Sequence, residues 1–209
     1  MSSEIMTPDM IEAEHNRLGY TLGWRFLMAP ERNIASSEVA IIALNPGGTR
    51  RHGTSWSQED GNAYLMEPWG GKSPGTDPLQ RQVQRLCQVL NVDPDKTFTG
   101  QFVPFRSNSW SELPRRDEAV AFSRRLWRWA LAQSKAQTFI CVGKNVVAPE
   151  IAQLIGAKAI AAAPAGWGDQ TIARYRTDDG RIVLGLPHLS RFGLFGRAVS
   201  ENAFAQALI

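Results

Sequence analysis

Asn45 ends an apolar run, Ile41-Ile42-Ala43-Leu44, and is followed at once by Pro46, Gly47 and Gly48. A strand that only needs to turn can do so on Gly or Asp-Gly. An amide followed by the most rigid residue and then two permissive ones suggests a side chain held still beside open space. Such an amide can accept a hydrogen bond from a water through its oxygen. It is too weak a base to take the proton, so it offers orientation. Asn45 can equally be a turn residue that caps the strand. His188 follows a second apolar run, Ile182 to Pro187, where it reads first as a polar residue ending a strand. Basic residues gather near both. Arg50 and Arg51 flank the Asn-Pro-Gly turn, Arg106 follows Pro104-Phe105, and Arg191 and Arg197 bracket the stretch after His188. Guanidiniums so grouped suit phosphates.

Alternating helices and strands must position these residues. Residues 7–27 start on a Thr cap with Pro at the first helical position and read as a helix that fades near Gly19 and Gly23. Residues 38–45 have the length and continuous apolar character of a strand covered on both faces. From Pro46 to Asp77 runs a stretch rich in Gly, Ser, Trp and Pro, and loops of that length are usually functional. Asp77 can cap a helix over 77–90 that puts Leu79, Val83, Leu86, Cys87 and Leu90 on one face. Strands are expected over 96–105, broken by Pro104, and over 137–143. A helix spans 116–133, and Pro149 obscures the start of another within 144–156. Residues 171–188 read as a hairpin about Asp179-Gly180, and 197–208 as a last helix. The alternation predicts an α/β three-layer sandwich with a central, largely parallel four-stranded sheet. In such sheets the working site lies beyond the carboxyl ends of the strands, which here means Asn45, residues 104–106, Gly143-Lys144 and His188.

Composition bounds the answer. A chain of 209 residues, 43% hydrophobic and 21% charged, fits one globular domain over 1–209, with 1–36 as a helical extension packed on it. A formal charge of +3 permits a nucleic-acid partner without demanding one. Cys87 and Cys141 lie in apolar-periodic stretches and read as reduced core thiols. The first fifteen residues lack an apolar signal region and no run approaches a membrane span, so a cytoplasmic monomer without membrane contact is expected.

Several chemistries drop out. The "GGKS" at 70–73 lacks the Gly that a phosphate loop needs at 66, where Met stands, and Pro74 blocks the helix that should follow. The histidines at 15, 52 and 188 are scattered and the two cysteines lack ligand spacing, so no metal is expected. No G-x-S-x-G elbow is present.

Four segments together resemble the uracil-DNA glycosylase superfamily. "ALNPGG" at 43–48 is similar to its first motif, in the form with Asn found in the mismatch-specific and single-strand-selective branches. "TGQFVPFRS" at 99–107, "FICVGKNVV" at 139–147 and "LPHLSRFG" at 186–193 resemble the later motifs, in family order. Ala43, Gln101 and Leu189 depart from the residues usual at their positions, the loop after Gly48 is long, and no subfamily fits fully.

The resemblance implies a DNA glycosylase that hydrolyses the N-glycosidic bond of uracil or another damaged base after base flipping, with no cofactor. Asn45 would then position the water, and His188 would donate to the leaving base. Gly47, where strict uracil enzymes carry Tyr, implies a roomy pocket that Gln101, Phe105 and a stacking aromatic would complete. Tyr64 is preferred over Trp56 and Trp69 for the stack. Ser190, Arg191, Arg50, Arg51 and Arg106 would meet DNA phosphates, and Phe192 would wedge into the gap left by the flipped nucleotide or be a core aromatic. Two other readings stay open: a nucleic-acid or nucleotide-binding protein on a glycosylase fold that cleaves nothing, and an unrelated α/β nucleotide-binding enzyme.

Overall fold

The computed structural model describes residues 4–209. Six strands form one sheet in the order β2-β1-β3-β6-β5-β4. They are β1 (Val39–Ala43), β2 (Phe98–Gln101), β3 (Thr138–Val142), β4 (Lys158–Pro164), β5 (Thr171–Arg176) and β6 (Ile182–Leu186). The contiguous set β2-β1-β3-β6 is parallel, and β5 and β4 extend it as antiparallel strands. The expected α/β class with a largely parallel sheet holds, but there are six strands rather than four. The hairpin about Gly180 accounts for β5. The strand missed outright is β4, "KAIAAAP", an alanine-rich and mostly exposed edge with neither the β-branched content nor the alternation that marks strands.

Helices cover both faces. Ala40, Ile42, Phe98, Phe139, Cys141 and Val183 belong to one core cluster. Against it pack α1 (Pro8–Arg17), α5 (Arg116–Gln133) and α6 (Val147–Ile155), through Ile11, Leu126, Trp127 and Ile151. The intervening residues Ile41, Ile140, Val142, Leu184 and Leu186 belong to the opposite cluster. That side is closed by α3 (Ala63–Met66), α4 (Pro78–Val89) and α7 (Ala198–Ala207); the short α2 is Asn33–Ser36. Met6, Leu18, Trp24 and Phe26 of the N-terminal segment belong to the first cluster.

Local signals act as their chemistry predicts. Asp77 and Gln80 form a capping box at the start of α4. Pro149 lies in the first turn of α6, where its missing N–H is no loss, so it does not block this helix, which begins without a side-chain cap. Cys87 and Cys141 are free and buried, and burial pushes the Cys87 thiol up to about 12. The stretch 46–77 is not an open loop. His52 and Ser55 donate backbone hydrogen bonds to Leu22 and Trp24, and Gln80 Nε2 donates to the Ala63 and Glu67 carbonyls. Among the described residues no helix is long and apolar enough to cross a membrane.

Candidate functional site

The parallel strands share one register row at their carboxyl ends: Gln101, Ala43, Val142 and Leu186. From β1 the chain goes to β2 on one side, and from β3 it reaches β6 on the other. The order therefore reverses between β1 and β3, where open α/β sheets leave a crevice. Asn45 and His188 each stand two residues past that row. With β3 between them, strand spacing sets their backbones roughly 10 Å apart. Gly143 and Lys144 donate their backbone N–H groups to the Leu186 carbonyl at 3.2 and 3.1 Å, which ties the β3 exit to the end of β6.

Asn45 is fixed by one end of its amide. Nδ2 donates to the carbonyls of Pro46 and Phe105, each at 3.2 Å, and to Ser107 Oγ at 2.8 Å. Carbonyls only accept, so the contacts define which end of the amide is nitrogen. Ser107 donates its own hydroxyl to the Ser109 carbonyl at 2.9 Å, leaving a lone pair for Asn45. Oδ1 makes no hydrogen bond among the described residues, so the acceptor end is left for another molecule. The turn itself is laced to the segment after β2: Ser107 N–H donates to the Pro46 carbonyl at 3.1 Å, and Arg106 Nη1 donates to the Gly47 carbonyl.

His188 is partly buried. Ser190 donates to its Nδ1 from the backbone N–H at 3.3 Å, and Ser190 Oγ lies 2.7 Å from the same nitrogen. A backbone N–H can only donate, so Nδ1 accepts and the neutral ring carries its proton on Nε2. Burial, and then the charge of Arg191, lower the His188 pKa below its ordinary 6.5. The ring is therefore neutral at pH 7. A titration of the histidine ring protons by NMR should give a midpoint below 6.5 for the resonance lost in His188→Gln. As pH falls below 6.5 the unfolded chain takes the proton first, so this group lowers stability until the folded ring also protonates. A midpoint above 6.5 would contradict the arrangement.

Gln101 is 4% exposed, and its Oε1 is buried without a hydrogen-bond partner among the described residues. An unpaired buried amide oxygen costs about 1–3 kcal/mol and calls for a donor, and the protein itself holds one beside it in the Tyr64 phenol. Burial pushes the phenol up to about 12, opposed by the charge of Arg25 and by the Gln101 amide.

The remaining expected residues divide. Gly47, Arg50, Arg51, Ser190 and Arg191 are exposed, and Arg51 lines a groove with residues of the 12–23 segment rather than with Asn45 or His188. Phe105 is not a pocket wall. Its ring is fully buried in the first core cluster, 4.9 Å from Tyr20 and 5.8 Å from Phe122, and only its carbonyl meets Asn45. Tyr64 is also core, at 2% exposure and edge-on to Trp69 at 5.2 Å, so it presents no open face for stacking. Trp56 packs between Phe26 and Trp129, while Trp69 is half-buried and donates to Glu67 at 3.0 Å. Phe192 is half-buried against the second cluster rather than projecting.

Arg106 is half-buried and drawn toward the Asn-Pro-Gly-Gly turn. Its Nη1 binds the Gly47 carbonyl, its Nε is buried without a partner, and burial lowers its pKa. Arg25 lies close enough to add repulsion and Glu67 to offset it. Arg25 in turn pairs with Glu67 at 2.6 Å. Sequence reasoning missed this Arg25–Glu67 pair and the Ser107 anchor. Ser107 stands inside a segment already singled out, but Arg25 is 42 residues from Glu67 and no local pattern joins them. Two grooves, of about 950 Å³ along residues 110–124 and 145–150 and about 650 Å³ along 12–23 and 51–54, include neither Asn45, Gln101 nor His188.

No protein-family model matches this sequence, and no curated protein matches it.

Proposed function

We propose that the chain is a monofunctional DNA glycosylase of uracil-DNA glycosylase-like fold, acting on uracil or another damaged base flipped out of its strand. The observation that carries this reading is the Asn45 amide, held at Nδ2 by three acceptors with its oxygen free. A neutral, Nε2-protonated His188 at the same edge and the unsatisfied Gln101 Oε1 support it. In this reading the parallel strands β2-β1-β3-β6 are the family's sheet, and the antiparallel β5 and β4 are an addition.

The roles follow from the chemistry of the bond. Water attacks the sugar carbon, the carbon–nitrogen bond breaks, and the electron pair leaves on the base. Asn45 Oδ1 accepts a hydrogen bond from that water and orients it, and the surplus proton passes to solvent. His188 Nε2–H donates to the base oxygen on which negative charge collects, with no proton transfer needed. Gln101 offers its oxygen to a base N–H. Arg50, Arg51, Ser190 and Arg191 meet the backbone phosphates, and Arg106 serves by holding the Gly47 carbonyl.

The second reading, a nucleic-acid-binding protein that cleaves nothing, is favoured by one observation. Tyr64 and Phe105, two of the expected pocket residues, have their rings in the core. Oligonucleotides carrying uracil, hypoxanthine, xanthine or mismatched thymine, single- and double-stranded, decide between them. Alkali-labile sites formed by the wild type and lost in His188→Ala support the glycosylase. Binding without any abasic product supports the second reading.

A further inference from the structure

Trp167, at the tip of the connection from β4 to β5, is half-buried and meets two residues of the loop after β6. The Arg197 guanidinium lies over its ring at 4.1 Å from the centroid, and Phe192 stands edge-on at 6.4 Å. Arg197 is exposed, and among the described residues its side chain makes no ion pair or hydrogen bond. The acid best spaced to neutralise it, Glu201 one turn on, is occupied by Arg85 at 2.7 and 2.9 Å and by the Gly196 N–H at 2.7 Å. Asp169, two residues from Trp167, pairs with neither Arg197 nor Arg191. Among the described residues the Arg197 guanidinium therefore has no carboxylate within ion-pair distance.

The stack is also rigid. Ala165 and Gln170 close the Trp167 tip with hydrogen bonds of 2.9 and 3.0 Å. Ser200 Oγ donates to the Gly166 carbonyl at 3.0 Å. Gly166, at φ +66°, lies so near α7 that a Cβ would come within 2.8 Å of Ser200 Cα. On the other side, Gln82 holds Phe195 by two hydrogen bonds of 2.7 and 2.9 Å. The Arg191 and Phe192 N–H groups donate to the His188 carbonyl at 2.9 and 3.1 Å, which sets the stack one turn from the candidate site.

We infer that Trp167, Arg197 and Phe192 form a stacking subsite for an unpaired base next to the one handled at Asn45 and His188, so that the preferred nucleic acid is single-stranded. This rests on the nucleic-acid reading above. A guanidinium lying on an indole presents its outer face as a third layer on which any base can stack. Its edge N–H groups, left without a carboxylate, are donors for the adjoining phosphate. A paired base in a duplex is stacked on its own neighbours and cannot use such a platform.

Fluorescence anisotropy with a labelled single-stranded oligonucleotide and the matching duplex tests this, beside Trp167→Ala, Trp167→Phe and Arg197→Ala variants checked for folding by circular dichroism. Wild type should bind the single strand more tightly. Trp167→Ala and Arg197→Ala should raise its single-strand Kd by about 5- to 100-fold, leave the duplex Kd within about twofold, and Trp167→Phe should keep most of the affinity. Equal single-strand affinity in wild type and folded Trp167→Ala, or no binding by wild type, overturns the subsite. Base release with unaltered affinity in Trp167→Ala would remove the subsite and keep the glycosylase. Selective loss of single-strand affinity, with no base released by wild type, would keep the subsite and remove the glycosylase.

Discussion

Asn45→Ala should lower the single-turnover rate of base release by about a hundredfold or more, with little change in oligonucleotide affinity. On the glycosylase reading the amide, which carries no charge and takes no proton, contributes by fixing a water, and alanine cannot do that. Asn45→Asp should not restore the rate in this protein. A carboxylate cannot donate to the Pro46 and Phe105 carbonyls, and it would put negative charge against both oxygens. Ser107 can turn its hydroxyl to meet the carboxylate, but then leaves the Ser109 carbonyl. Ser107→Ala should give a smaller fall than Asn45→Ala, since two of the three acceptors remain. The measurement is alkaline cleavage of a uracil-bearing strand at saturating protein. A rate for Asn45→Ala within about tenfold of wild type would mean that Asn45 only caps its strand.

The largest effect on stability should come from Trp127. Its side chain is fully buried in α5 between Phe26 and Phe98, at ring separations of 5.5 and 5.4 Å. Its Nε1 donates to the carbonyls of Gln101 and Phe102 at 3.1 and 2.9 Å. Trp127→Ala should cost about 3–5 kcal/mol, a large part of what keeps a typical domain folded. Trp127→Phe refills much of the space but leaves two buried carbonyls without that donor, and should cost about 1–3 kcal/mol. Urea unfolding followed by far-ultraviolet circular dichroism separates the two. The conservative change should also disturb Gln101, whose carbonyl the indole holds. A Trp127→Phe protein as stable as wild type would show that water replaces the indole N–H.

Periodicity made α4 and α5 legible, because Val83, Leu86 and Cys87, or Ala119, Phe122, Leu126 and Ala130, repeat on one face. Continuous apolar runs did the same for β1, β3 and β6. The edge strand β4 escaped because alanines at a sheet margin bury too little to leave a pattern. At the site, Asn45 and His188 could be singled out because each polar residue interrupts an apolar run. Phe105 and Tyr64 could not be sorted between pocket and core, since an aromatic in a strand or loop looks the same in either setting. The surroundings of Arg106 could not be read for a related reason. Whether an arginine faces solvent depends on partners such as Gly47 and Glu67, about 60 and 40 residues away in the chain.

The shared row Gln101-Ala43-Val142-Leu186 makes the sheet a ruler for the chemistry above it. Removing or adding one residue within β1 or β6 would shift Asn45 or His188 by one place and turn it to the opposite face. The stretch between Arg50 and Gly61 has no slack either, because Phe26 and Leu27 donate their backbone N–H groups to the Ser55 and Trp56 carbonyls there. Length in this protein is therefore fixed both where the side chains are ordinary valines, isoleucines and leucines and where the sequence looks most distinctive.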